Sequence, residues 1–133
     1  MFDSLLLQVL CSGIISGMIL FQVSVIAPTV FKILETDEIR KFLRNVFPKL
    51  FKVVSLTGLL SFLSALAFNT VSILQYVMSL VTFLLAIFCL LIVPATNNAK
   101  DEGNDKLFSL LHRISVFSTM TILVMNLFWV FLL

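Results

Sequence analysis

The chain has 133 residues, with nine Lys and Arg against seven Asp and Glu, and only 12% of it is charged while 60% is hydrophobic. A globular domain in water carries roughly 25% charged residues, so these proportions, with a mean hydropathy of +1.14, exclude a water-soluble fold and a disordered chain alike. One domain of a polytopic membrane protein is what remains, with a single histidine and two cysteines as its stock of soft ligands.

The first apolar stretch covers residues 4–27, enough to cross a bilayer, which takes about 20 residues of helix. A secretory signal opens on basic residues, whereas Met1-Phe2-Asp3 is acidic, so the stretch is predicted to be a retained helix. Within it Gly13 and Gly17 form G-x-x-x-G beside Ser12 and Ser16. Lipid tails supply no hydrophobic drive between helices, and close approach at small residues holds a bundle together instead. Gly17→Leu is therefore predicted to disrupt the bundle. On a helical wheel Gln8, Ser12, Ser16 and Gln22 share one side and Leu7, Leu10, Ile14 and Phe21 the other, which predicts the first helix at the bundle centre. Gln22 reads as an interhelical hydrogen bond.

Residues 28–52 form a charged connection. From Thr36, a plausible N-cap followed by Asp37 and Glu38, apolar residues fall at Ile39, Phe42, Leu43, Val46, Phe47, Leu50, Phe51 and Val54, one face of a helix. Arg40, Lys41, Arg44, Lys49 and Lys52 lie mostly off that face. The pattern predicts an amphipathic helix on the membrane surface, bent at Pro48 where it meets the second span. Its basic residues would attract anionic lipid headgroups; equally, they would do no more than set topology.

The second span is predicted over residues 53–68, with Ser55, Gly58, Ser61 and Ala65 as small packing positions. The third follows over 71–93 after a short Asn69–Thr70 turn, with Ser79, Thr82 and Ala86 in the same role. A second charged connection runs over 94–113 and the fourth span over 114–133, where Ser115, Ser118 and Thr119 are small and Asn126 is a candidate interhelical hydrogen bond. Spans of this kind must be helices, because every backbone polar group in the bilayer has to be paired within the chain. The predicted fold is all-α: four transmembrane helices in a bundle, with an amphipathic helix before the second.

Lys32, Arg40, Lys41, Arg44, Lys49 and Lys52 lie in the first connection and Lys100, Lys106 and Arg113 in the second, which accounts for every basic residue. By the positive-inside rule both connections are cytoplasmic and both termini outside, in a plasma or bacterial inner membrane. Tyr76 and Trp129 would then sit near the outer interface.

Ala27-Pro28-x-x-Phe31, Val46-Phe47-Pro48-x-x-Phe51, Pro94-Ala95-Thr96-Asn97 and Phe108-x-x-x-His112-x-x-Ser115, with Asn126 beyond, occur in an order that resembles the four-helix membrane proteins of domain of unknown function 4149. Eukaryotic proteins of that kind are called transmembrane protein 205. The resemblance implies a four-helix membrane protein without an established biochemical activity, some relatives being linked to drug resistance, and it names no catalytic residue.

A metal or haem site needs several His, Cys or carboxylate groups converging on one point, and the copper-resistance and haem-pathway four-helix proteins to which the family is distantly similar depend on intramembrane histidines. His112 stands alone beside Arg113, and Cys11 and Cys89 belong near opposite faces, about 15 Å apart in depth at ~1.5 Å per residue. No cofactor, metal or catalytic residue is predicted. A proton-coupled exporter of similar size would need a membrane-embedded glutamate, and Glu35, Glu38 and Glu102 all fall in the connections. The sequence thus reads as a non-enzymatic binding or assembly module of the bilayer, with a small oligomeric transporter as the alternative. Its expected partners are membrane lipid and further copies or other membrane proteins, not nucleic acid. Polar groups that could recognise a partner gather in the connections at Asn97, Asn98, Asp101 and His112. A cysteine introduced at Asn98 should be labelled by an impermeant reagent from the cytoplasm only; labelling from outside would overturn the orientation.

Overall fold

In the computed structural model, which describes residues 3–69 and 72–133, four helices are long and apolar enough to cross a membrane. They are α1 (Ser4–Ile33), α2 (Thr36–Ala67), α3 (Ile73–Asp101) and α4 (Asp105–Phe128), the last extended by a 3₁₀ turn over Trp129–Leu132. The described residues contain no strand. The predicted first residue of the third span, Val71, and Thr70 of the turn before it lie outside the described residues. Each helix packs against two neighbours, α1 on α2 and α4, α2 on α3, and α3 on α4. The bundle is therefore a closed ring of antiparallel neighbours, and α1 is one of its four walls rather than its centre.

The three prolines do not end helices, so the helices run on past the predicted span limits at residues 27 and 93 and through Pro48. Pro28 lacks the N–H that would bond the Ser24 carbonyl, and the turn before it widens accordingly. Gln22–Ile26 is π-helical, the Ala27 N–H reaches the Gln22 carbonyl five residues back, and Pro28 falls in the first turn of the renewed α-helix, where no donor is required. Pro48 lies inside α2 and Pro94 inside α3. Residues 36–52 are consequently the leading turns of the second spanning helix, not a separate surface helix. Their apolar face turns toward the bundle, ending in buried Leu50, Phe51 and Val54. The cap is also one residue earlier than Thr36: Glu35 is the N-cap, and its backbone N–H donates to the Glu38 carboxylate at 3.2 Å.

The predicted connection 94–113 shrinks to a three-residue turn. Glu102 caps α3, Gly103 takes φ 71°, its N–H bonds the Lys100 carbonyl at 3.2 Å, and the Asn104 N–H bonds the Ala99 carbonyl at 2.9 Å. This is a Schellman closure, for which glycine supplies the left-handed residue. Asn104 at once caps α4, its Oδ1 accepting from the Leu107 N–H at 3.2 Å. With 29 residues, α3 is about 43 Å long, more than the ~30 Å hydrocarbon core, so its Asn97–Asp101 end stands beyond the apolar layer.

The bundle is inside out relative to a soluble protein. Leu6, Ile14, Leu56, Leu91, Phe117 and Phe131 are exposed, while Gln8, Ser12, Ser61, Ser79 and Thr82 are buried. One half of the interior is apolar: Ile15 and Ile19 of α1, Leu50 and Val54 of α2, Ala86 of α3, and Ile122 and Leu123 of α4 form a single cluster. Cys11 and Cys89 are both buried free thiols.

The glycines divide sharply. A Cβ on Gly58 would meet the Phe83 backbone N at 3.1 Å and Thr82 Cγ2 at 3.2 Å, so α2 and α3 touch where α2 has no side chain. Gly13 and Gly17 are exposed, with nothing within 4 Å of an added Cβ, and the predicted G-x-x-x-G face does not hold this bundle together. Gly58→Ala should therefore cost about 1–3 kcal/mol of stability through overpacking. Gly17→Leu should stay within about 0.5 kcal/mol, as surface changes do. Thermal unfolding of the two variants in one detergent checks this, and a greater loss for Gly17→Leu would contradict the packing.

Candidate functional site

All nine basic residues gather at one end of the bundle, where α1 and α3 finish and α2 and α4 begin. Of the predicted headgroup set, Arg40, Lys41, Lys49 and Lys52 are exposed on α2. Arg44 is not free: its guanidinium donates to both carboxylate oxygens of Asp101, at 3.1 and 2.5 Å, and to the Asn97 carbonyl at 3.4 Å. This fork ties the start of α2 to the end of α3, and its hydrogen bonds hold the Asp101 carboxyl below the ordinary aspartate range.

The predicted cluster of Asn97, Asn98, Asp101 and His112 is not one site. Asn97 contributes its backbone carbonyl and Asp101 its carboxylate to the Arg44 fork, while Asn98 is exposed and its carbonyl caps the helix end through the Glu102 N–H. His112 belongs to a separate ladder on α4. Its ring stacks on Phe108 at 5.7 Å and 10°, and Lys100 Nζ sits 4.9 Å above the same Phe108 ring. The histidine ring is thus in contact with an aromatic ring of its own helix.

A second constellation lies between the helices toward the opposite, charge-poor end. Ser12 Oγ donates to Asn126 Oδ1 at 2.9 Å, Asn126 Nδ2 donates to Thr82 Oγ1 and to the Ile122 carbonyl at 2.9 Å each, and Trp129 Nε1 donates to Ser12 Oγ at 2.8 Å. Three helices, α1, α3 and α4, are joined through neutral side chains. Trp129, predicted for the interface, is 2% exposed and points inward as part of this network. Its one donor is satisfied by a serine, which is how a buried indole is accommodated. Nearby, Tyr76 donates to the Ala65 carbonyl at 3.0 Å, linking α3 to α2.

Gln22 is buried at 6% exposure, but its Nε2 has no hydrogen-bond partner, nor do Gln8 Nε2 and Ser16 Oγ. The predicted interhelical hydrogen bond at Gln22 is thus not made through its amide nitrogen. Sequence reading named Ser12 and Thr82 only as polar or small positions. The signal that would have joined them is depth: numbered along antiparallel helices, Ser12, Thr82, Asn126 and Trp129 fall at one level. Among the described residues, no three His, Cys, Asp or Glu side chains converge to hold a metal.

The family model described as domain of unknown function, DUF4149, matches residues 10–105, and the chain belongs to that family. The match covers the first three spans and speaks for the domain family, not for its transmembrane protein 205 branch. Neither a curated protein nor a solved structure matches the chain.

Proposed function

We propose that this DUF4149 membrane protein is a non-enzymatic module of the bilayer whose charged end faces the cytoplasm and docks on anionic headgroups. The observation that carries the reading is the asymmetry at Arg44. Among the described residues only Arg44 forms a direct ion pair, with Asp101, whose charge Arg40 feels at longer range, so Arg40, Lys41, Lys49 and Lys52 remain exposed along α2 without a direct ion-pair partner. Residues on a helix that rises from the hydrocarbon layer reach headgroups at successive depths. Lys49 and Lys52, nearest the apolar part of the span, extend their stems outward past Leu50 and Val53 to the phosphates. Arg40 and Lys41 meet the surface potential further out, at roughly 1 kcal/mol for each basic residue near an anionic leaflet.

The interior supports a binding or assembly role over a reaction. Its polar groups are neutral, and Ser12, Thr82, Asn126 and Trp129 bond to one another across helices, an arrangement that fixes a scaffold and leaves recognition to the ends. Arg44 in this reading is a brace: by clamping α2 to α3 it holds the free basic residues at a fixed height.

Reconstitution of the full chain into nanodiscs with and without phosphatidylglycerol tests the reading. The anionic lipid should be enriched around the wild type, as read by native mass spectrometry of retained lipid. Replacement of Arg40, Lys41, Lys49 and Lys52 by glutamine should remove the preference, and added salt should weaken it. Equal retention of neutral and anionic lipid by the wild type would leave the charges with orientation as their only role.

A further inference from the structure

The polar network borders a small chamber. Gln8 and Ser12 of α1, Ser61 of α2, Ser79 and Thr82 of α3, and Asn126 of α4 line it, with Trp129 at its wall. Every lining side chain is uncharged. Its volume is about 10 Å³, close to the ~10–15 Å³ that one water needs. Gln8 is 1% exposed, and its Nε2 has no partner in the protein. An amide donor buried in an apolar layer without an acceptor costs several kcal/mol, so the chemistry of this wall calls for an acceptor.

Access is one-sided. A larger open depression of about 390 Å³ lies at the charge-poor end, lined by Asp3, Ser4, Asn69, Ser72 and Gln75, and Gln75 also borders the chamber. On the other side, past Ile15 at the chamber wall, the interior is mainly aliphatic at Ile19, Val54, Ile122 and Leu123, with Ser16 and Gln22 as buried polar groups among and beyond them.

We propose that the chamber is a binding site for one uncharged, water-sized hydrogen-bonding molecule, water itself, which enters from the charge-poor end past Gln75 and accepts from Gln8 Nε2. The neutral lining excludes ions, which would shed hydration without a countercharge. The volume excludes larger solutes. The mainly aliphatic side chains beyond it close the chamber toward the charged end, so the hydrated region stops within the membrane near the level of Asn126. All four helices contribute to the wall, and the occupant joins α2, through Ser61, to the network that already ties α1, α3 and α4.

Water-to-protein magnetisation transfer by solid-state NMR, on the full chain with labelled Gln, Trp, Ile and Ser in phosphatidylcholine bilayers, tests this. Transfer should reach the Gln8 side-chain amide and the Trp129 indole N–H, and should not reach the Ile122 backbone amide in the apolar layer. Ser61→Val, which fills the chamber with an added methyl group, should lower the Gln8 transfer to the Ile122 level, and Ser61→Ala should preserve it. A wild-type Gln8 amide as silent as Ile122 overturns the proposal, with no variant needed. So does a Gln8 signal that Ser61→Val leaves undiminished.

Discussion

A polar side chain inside a bilayer has no water to fall back on, and in this bundle the half-buried Asn126 and the buried Ser12, Thr82 and Trp129 bond to one another. Asn126 is where that bonding is concentrated. One amide accepts from Ser12 of α1 and donates to Thr82 of α3, while Trp129, one turn on, donates to the same serine. Nothing in the hydrocarbon pulls the helices together by hydrophobic force, because their exposed leucines and phenylalanines are as well solvated by lipid as by protein. The network therefore sets which faces meet. The ring order of the helices, with α4 returning to close on α1, is the arrangement that brings Ser12 and Asn126 to one depth.

From that level the interior changes character along the bundle axis. Toward the charge-poor end it is polar and finely packed, with Gly58 letting α2 approach the Phe83 backbone and Tyr76 bonding across to Ala65. Toward the charged end it is mainly aliphatic, with Ser16, Gln22, Ser55 and Ser118 as isolated polar positions, and it closes with the Arg44–Asp101 fork. The two halves are fastened differently: by directional bonds among neutral groups where lipid surrounds them, and by an ion pair where water competes. An exposed pair of that kind adds little stability on its own, but its forked geometry fixes the register of α2 against α3.

The number of spans, their helical nature and the segregation of charge were legible in composition and hydropathy alone, because the bilayer imposes them on any sequence. Helix ends were not. Pro28 and Pro94 opened the predicted connections and Pro48 a predicted bend, yet each is absorbed inside a longer helix, Pro28 behind a π turn, since tertiary neighbours sustain a helix that local propensity would end. The true turn at Gly103-Asn104 was marked by a capping pair, but the surrounding charges drew attention to a longer loop. Gly13 and Gly17 carried the best-known packing motif and face outward, whereas the lone Gly58 makes the close contact. A motif states what a face could do; which face meets a neighbour depends on the whole ring. Trp129 misled for a related reason, since its indole is as well served by a buried serine as by a headgroup.

A double-mutant cycle between Ser12 and Asn126 measures the central bond most directly. Ser12→Ala, Asn126→Ala and the double variant would be compared for unfolding free energy in bilayers, with Trp129 fluorescence as the reporter. A favourable coupling of about 0.6 kcal/mol, and at most about 1.7, is expected, as found for interhelical hydrogen bonds in membranes. Strict additivity of the two substitutions would contradict it, and would mean that the Ser12–Asn126 bond adds nothing to the hold of α1 on α4.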